Sequence, residues 1–485
     1  MLFNSSIFFA FYAVFFPLYW LVHQDRRLRT SLVLVASYVF YGAWDWRFLS
    51  LIVASTVVDF HCGRAIAASS DQKRRKRLLF VSLGVNLGAL GFFKYYGFFV
   101  QSFIDFANTL GWHPHPATLS IILPVGISFY TFQTLSYTID IYRRELEPTD
   151  DFVAFAAFVA FFPQLVAGPI ERARRLLPQI IATPKLDAAL LRDGVMLILW
   201  GLFKKVLIAD RIAVYVDTVY AEPGAFSPLQ CTIATLLFAF QIYMDFSGYS
   251  DIARGLGKTL GIELVLNFRS PYFATSLRDF WHRWHISLST WFRDYVYIPL
   301  GGSRNGEAET NRNLLVTFLL SGLWHGANYT FVFWGLLHGI GVVLDPLTRL
   351  EKTRGKLNWR DHRLAVGLGW LWTFVLVNCA WTFFRANTIG DAWIVLRKIA
   401  RVPAQLMMSP GADQILAGMS RTEFVYSCYL LLIATVLDFV SRKHDVNVNL
   451  GKQPTAVRWA LSWALIVHLL LLAPSDTGSF IYFQF

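Results

Sequence analysis

The chain has 485 residues, 55% of them hydrophobic and only 16% charged, whereas a soluble protein carries charge at roughly a quarter of its positions. The formal charge of +12 would suggest nucleic acid in a soluble protein, but the basic residues cluster in short loops between apolar segments, which explains the charge and argues against nucleic-acid binding. Mean hydropathy is +0.44, and Cys62, Cys231, Cys379 and Cys428 are scattered with no CxxC pair, so neither a disulfide framework nor a zinc site is indicated.

The first apolar segment, Ile7 to Val22, has no basic residue before it and no small-residue cleavage site. It reads as a retained span rather than a signal peptide. Arg26, Arg27 and Arg29 follow, then apolar segments from Ser31 to Gly42 and Phe48 to His61 with the turn Ala43 to Arg47 between them, then the basic run Lys73 to Arg77. The excess of Lys and Arg places both basic stretches in the cytoplasm and the N-terminus on the other side. Segments this short are expected to extend into their flanks, since a crossing needs about 20 residues.

Further apolar segments run over Leu78 to Gly97, Ser120 to Tyr137, Phe152 to Ala167, Val195 to Ile212, Thr232 to Phe246, Leu314 to Leu344, Leu364 to Phe384, Phe424 to Val440 and Ala456 to Ala473. The Phe152 segment has arginines on both sides, so it either re-enters or departs from the charge rule. The loops Gly301 to Arg312 and Glu351 to Arg363 are both basic. If both are cytoplasmic, the chain between them goes in and returns as two half-length helices, with His325 near the end of the first. The expected fold is an all-α polytopic membrane protein of about a dozen transmembrane or re-entrant helices, a single integral domain over 1–485 with no second soluble domain.

His325 lies in Ser321 to Asn328 (SGLWHGAN). An ionisable side chain at membrane depth is a functional-site hypothesis by default, and histidine moves protons near neutral pH. On a continuous helix its neighbours would be Ser321, Gly322, Asn328 and Tyr329, a small polar face open to a substrate. His338 lacks such a face and reads as a core histidine. The segment Phe280 to Tyr297 repeats Trp281, Trp284, Leu288, Trp291 and Tyr295 at helical spacing; there His285 points inward with the stripe and His282 toward solvent. Asp245 and Asp251, near the end of an apolar segment, either orient a histidine, pair with an arginine or cap a helix; capping or pairing is the preferred reading. His282 and His285 do not form the H-E-x-x-H pattern of zinc hydrolases, and no phosphate loop or nucleophile elbow is present. No metal is therefore expected. Gly322 to Gly326 and Gly335 to Gly339 each spell G-x-x-x-G, which permits close helix approach.

These residues together resemble the membrane-bound O-acyltransferase family, in particular its bacterial branch typified by the alginate O-acetyltransferase membrane subunit. The resemblance rests on Tyr95-Tyr96, Leu123 to Gln133, Phe162 to Ile170, Tyr243 to Asp251, Phe280 to Gly302, Ser321 to Asn328 and Phe480 to Phe485. It implies helices around a central tunnel, His325 as catalytic residue and His285 as its second signature histidine. It further implies transfer of an acetyl group from a cytoplasmic donor, acetyl-CoA, toward an exported polysaccharide, with periplasmic acetyl-transfer proteins as partners and a bacterial inner-membrane location. No bound cofactor is expected beyond that donor substrate. A neutral buried histidine could take the proton of a hydroxyl, with Asn328, Tyr329 or backbone amides near Gly326 as oxyanion donors. Two other readings stand beside it. One is a non-enzymatic channel or polysaccharide translocator, disfavoured because such a path should be lined by several Arg or Lys. The other is a family member that moves a D-alanyl or fatty acyl group.

Overall fold

The structure is a computed structural model that describes residues 1–114, 119, 121–345, 359–406, 413–442, 453–473, 478, 480 and 481. The described residues form helices and no strand. Six helical runs among them are long and apolar enough to cross a membrane: Arg26–Ala68, Gln72–Thr109, Pro228–Thr259, Arg363–Arg385, Arg421–Val440 and Thr455–Leu472. Ser6–Leu21 and Tyr329–Leu344 are shorter apolar helices. The chain is thus an all-α, multi-span membrane protein. Thr455–Leu472 buries none of its residues although it is apolar throughout; a helix with an apolar surface and no protein cover is stable in lipid, not in water.

Side-chain caps start many of these helices. Ser5 accepts from the Phe8 amide at 3.2 Å, Asp25 from Leu28 at 3.0 Å, Asp151 from Ala154 at 3.0 Å and Ser420 from Glu423 at 3.2 Å. Each satisfies an amide that has no partner within the first helical turn. The apolar segment at Ser31 to Gly42 does extend into its flanks, as a helix over Arg26–Asp45, and the next runs over Leu49–Ala68.

The fold divides into two compact units, Met1–Val195 with Ile252–Val265, and Met196–Asp251 with Leu266–Phe485. In the first, helix Leu49–Ala68 packs on Gln72–Leu90 and on Ile127–Tyr142. A Cβ on Gly63 would lie 2.8 Å from the Tyr137 ring, so only glycine allows that crossing. The three helices share a buried polar knot. Asp59 accepts from Ser82 at 2.5 Å and Asn86 at 2.9 Å, and Asn86 accepts from Ser55 at 2.6 Å. Hydrogen bonds of this kind hold helices together where the hydrophobic effect cannot distinguish helix from lipid.

The Phe152 segment is not a crossing helix. It breaks at Phe161 into Phe152–Ala160 and Phe162–Leu165, and its first nine residues reach about 13 Å at 1.5 Å per residue. It is buried from Ala154 to Leu165, so protein rather than lipid surrounds its broken backbone. The arginines that precede and follow apolar segments are not all loop residues. Arg29 lies within a helix, and its guanidinium caps the carbonyls of Ile180, Ile181 and Ala182 at 2.9–3.2 Å. A cation at a helix C-terminus is favoured by the helix dipole.

In the second unit, Glu307–His325 and Tyr329–Leu344 form a hairpin. A Cβ on Gly322 would lie 2.3 Å from the Phe331 carbonyl oxygen, and one on Gly335 2.3 Å from that of Phe318. These cross-contacts run in opposite directions along the two helices, so they form an antiparallel hairpin; residues 346–358, most of the second basic loop, lie outside the described residues. The two G-x-x-x-G stretches bring the backbones together through Gly322 and Gly335.

Candidate active site

The structure replaces the single amphipathic helix expected over Phe280 to Tyr297 with three pieces. Helix Leu277–Trp281 is followed by a turn, then by helix Ile286–Phe292 and a wide helical turn over Arg293–Tyr297. The break falls at His285, whose φ of 41° and ψ of 54° are left-handed. A non-glycine residue there costs about 1–2 kcal/mol, and such positions cluster at functional sites.

Asn267 holds this conformation. Its carbonyl accepts from the Ile286 amide at 2.9 Å. Its side-chain oxygen accepts from the Ser287 hydroxyl at 2.9 Å and the Ser287 amide at 3.3 Å, and stands 3.0 Å from His285 Nδ1. Its amide nitrogen donates to Ser250 at 3.1 Å. With the oxygen of Asn267 fixed toward the ring, Nδ1 carries the proton and donates, and the lone pair lies on Nε2. This tautomer is assigned from the hydrogen-bond network. An imidazole so oriented is a base at Nε2, the arrangement general-base catalysis requires. Asn267 and His285 are both fully buried.

Aromatic rings wall the site. Phe246 meets His285 edge-on with centroids 4.6 Å apart, and Trp324 lies 6.0 Å away on another side. Trp324 also touches His325 at 5.0 Å, so the two histidines share one indole. His325 is the last residue of helix Glu307–His325 and is buried between Trp334 at 5.0 Å and Phe384 at 5.2 Å. The backbone turns extended at Gly326, where a Cβ would lie 2.1 Å from the Phe331 ring. Only glycine can follow the histidine here.

That turn redraws the face expected around His325. Ser321 and Gly322 are on its helix and buried. Asn328 is not a helix neighbour: it caps the next helix by accepting from Thr330 at 3.0 Å and donates to the Asn387 carbonyl at 3.1 Å. Tyr329 begins that helix and is exposed. Asp245 lies on Pro228–Thr259 and pairs with Lys205 at 2.9 Å, while Asp251 pairs with Lys204 at 2.6 Å; both pairings are with lysine, not arginine. His282 is exposed. His338 is enclosed by Trp334 at 4.7 Å and Trp281 at 5.0 Å, and neither of its nitrogens meets a hydrogen-bond partner among the described residues.

A cavity of about 330 Å³ opens beside the broken segment. Trp281, Leu288, Phe292 and Phe318 line its apolar wall, Ser321 joins it from the His325 helix, and Arg278 and Arg293 carry its positive charge. Among the described residues no group of three His, Cys, Asp or Glu side chains is placed to hold a metal ion.

The sequence reading missed Asn267 and the lysine pair Lys204-Lys205. Two adjacent lysines inside the apolar run Val195 to Ile212 are a visible signal, because intramembrane charge is costly and partnered. Asn267, a single amide in a short connecting segment, carries no such signal.

Known proteins place the chain. The sequence pattern of the membrane-bound O-acyltransferase family matches residues 145–384. The chain is 36% identical to the probable alginate O-acetylase of Pseudomonas putida over the full length of both, and 41% identical to that of Pseudomonas aeruginosa over 81% of this chain and 74% of the relative. It is 37% identical to the peptidoglycan O-acetyltransferase of Helicobacter pylori over 100% of this chain and 98% of the relative. The chain belongs to the membrane-bound O-acyltransferase family and is an acyltransferase.

Proposed function

We propose that this acyltransferase moves an acetyl group from acetyl-CoA on the cytoplasmic side of a bacterial inner membrane, for O-acetylation of an exported polysaccharide such as alginate. Periplasmic acetyl-transfer proteins complete the delivery, and the path is a tunnel through the helices. The acetyl group and the polysaccharide are supported by the relatives' names, two of them alginate O-acetylases and one a peptidoglycan O-acetyltransferase. The carrying observation is the pair of buried histidines, His285 and His325, against one shared indole.

The chemistry follows from those residues. His325 takes the proton of the attacking hydroxyl as its oxygen forms a bond to the thioester carbonyl carbon. The carbonyl oxygen becomes an oxyanion, and Ser321 or nearby backbone amides are its candidate donors, since the Asn328 amide is engaged with Asn387 and Tyr329 is exposed. The tetrahedral adduct collapses by breaking the carbon–sulfur bond, and the departing thiolate takes the proton from the imidazolium. His285, held by Asn267 through Nδ1, orients the thioester or assists that proton transfer. Arg278 at the cavity offers positive charge that a phosphate-bearing donor needs, whereas Arg293 there already pairs with Asp294 at 2.7 Å.

The test is purified protein in detergent with radiolabelled acetyl-CoA and an alginate oligosaccharide as probe acceptor, with and without the partner proteins. Label transfer with thiol release supports the reading. Neither, under any of these conditions, refutes it and favours transfer of another acyl group.

A further inference from the structure

One cluster in the second unit takes no part in the chemistry above. Lys205 is buried in the wide helical turn Phe203–Ala209. Its ammonium stands 2.7 Å from Asp210 and 2.9 Å from Asp245, both buried carboxylates. One cation between two anions leaves a negative charge in an apolar interior, which is costly unless hydrogen bonds satisfy it. For Asp245 a residue distant in sequence supplies one such bond. The Ile481 amide donates to Asp245 Oδ2 at 2.7 Å across 236 positions of sequence. Gly478 approaches the other carboxylate so closely that a Cβ would lie 3.2 Å from Asp210 Oδ1. Asp245 is therefore hydrogen-bonded to Ile481, while Gly478 passes near Asp210 without bonding to it.

Docking by these contacts sets the position of Phe480. It is buried, with its ring 4.7 Å from Tyr249 and 5.6 Å from Phe246. Phe246 is the ring that meets His285 edge-on at 4.6 Å, and it follows Asp245 directly on the same helix. Phe480 thus backs Phe246, which in turn walls the histidine.

We infer that Asp245, held by Lys205, clasps Ile481 and so docks Phe480, and that Phe480, so docked, is a positioning residue for His285. The inference rests on the acetyltransferase reading only where its effect on turnover is concerned. Without Phe480, Phe246 gains room to rotate, and the imidazole loses the ring that meets it edge-on. A misplacement of about 1 Å at a reacting group can cost on the order of a hundredfold in rate. Phe480→Ala should lower kcat about tenfold to a hundredfold with little change in KM for acetyl-CoA. Phe480→Leu, which keeps most of the apolar bulk, should restore most of it. Asp245→Asn should lower kcat in the same way, and the double variant should be no worse than Asp245→Asn alone, because both act through one docked segment.

The test uses the full-length protein in detergent, with variants compared at equal monodispersity. Kinetics with acetyl-CoA and alginate oligosaccharide are paired with an activity-independent readout, the rate at which diethyl pyrocarbonate modifies His285, mapped by mass spectrometry. Phe480→Ala and Asp245→Asn should each raise that rate on the order of tenfold while His338 stays protected; Phe480→Leu should not. Unchanged His285 reactivity in Phe480→Ala overturns the inference, as does an equal rise at His338, which marks general loosening. A wild type that shows neither acetyl transfer nor thiol release overturns the functional reading instead, and the modification rates still decide the clasp.

Discussion

Replacing Asn267 with alanine removes the group that orients His285 and leaves the histidine itself in place. Its side-chain oxygen stands within hydrogen-bonding distance of three groups, His285 Nδ1, the Ser287 amide and the Ser287 hydroxyl, and its amide nitrogen donates to Ser250. The Ser250 oxygen merely loses one donor, and the Ser287 hydroxyl can turn to another acceptor, since a hydroxyl rotates. The Ser287 amide and His285 Nδ1 cannot. Two buried donors left without partners cost about 1–3 kcal/mol each, hence about 2–6 kcal/mol in total. Part of that appears as lost stability and part as a freed imidazole that samples the wrong tautomer. If about 1.4–2.8 kcal/mol falls on the transition state, kcat drops roughly tenfold to a hundredfold. Asn267→Asp keeps an acceptor at the same place and should recover part of the rate with a shifted pH profile, since a carboxylate favours the imidazolium. The assay is acetyl-CoA thiol release by purified protein, with apparent melting temperature measured alongside. Turnover of Asn267→Ala within twofold of wild type would remove Asn267 and its tautomer argument from the mechanism.

Two further outcomes are expected. His338→Leu should keep turnover within about threefold and stability within about 1 kcal/mol, because it replaces a buried polar ring in an aromatic cage with an apolar group; complete loss of turnover would make His338 part of the site. Glu171 is buried, with one oxygen accepting from the Val265 amide, and burial raises its pKa to about 7. Its contribution to stability is fully present below its unfolded pKa of about 4.3 and is lost as pH rises through 7. Glu171→Gln should therefore raise the apparent melting temperature at pH 8 and change it little at pH 4; a larger gain at the acidic end would contradict the assignment.

The helical, membrane-spanning character was legible because lipid imposes it: long apolar runs with few charges have no other stable form. The antiparallel hairpin around Leu314 to Leu344 agrees with the return that the flanking basic stretches suggested, and His325 was legible from the cost of placing an ionisable group in that apolar run. The pieces that needed coordinates are those where local pattern and backbone disagree. Trp281, Trp284, Leu288, Trp291 and Tyr295 keep helical spacing, yet the left-handed residue at His285 divides them. Within the stripe Trp284, Leu288 and Trp291 are buried, while Trp281 and Tyr295 at its two ends are only half-buried. Asn328 and Tyr329 fall at helical offsets from His325, but Gly326 turns the chain before they are reached. Contacts across hundreds of positions, such as Ile481 on Asp245, have no local signature at all.

The most direct test of the central claim is the acetyl content of polysaccharide exported by cells that carry wild type or His325→Ala, with membrane protein levels matched. The account predicts that the polymer is still exported and its acetate is lost. Unchanged acetate would contradict the role of His325, and loss of the polymer itself would point to translocation instead of acetyl transfer.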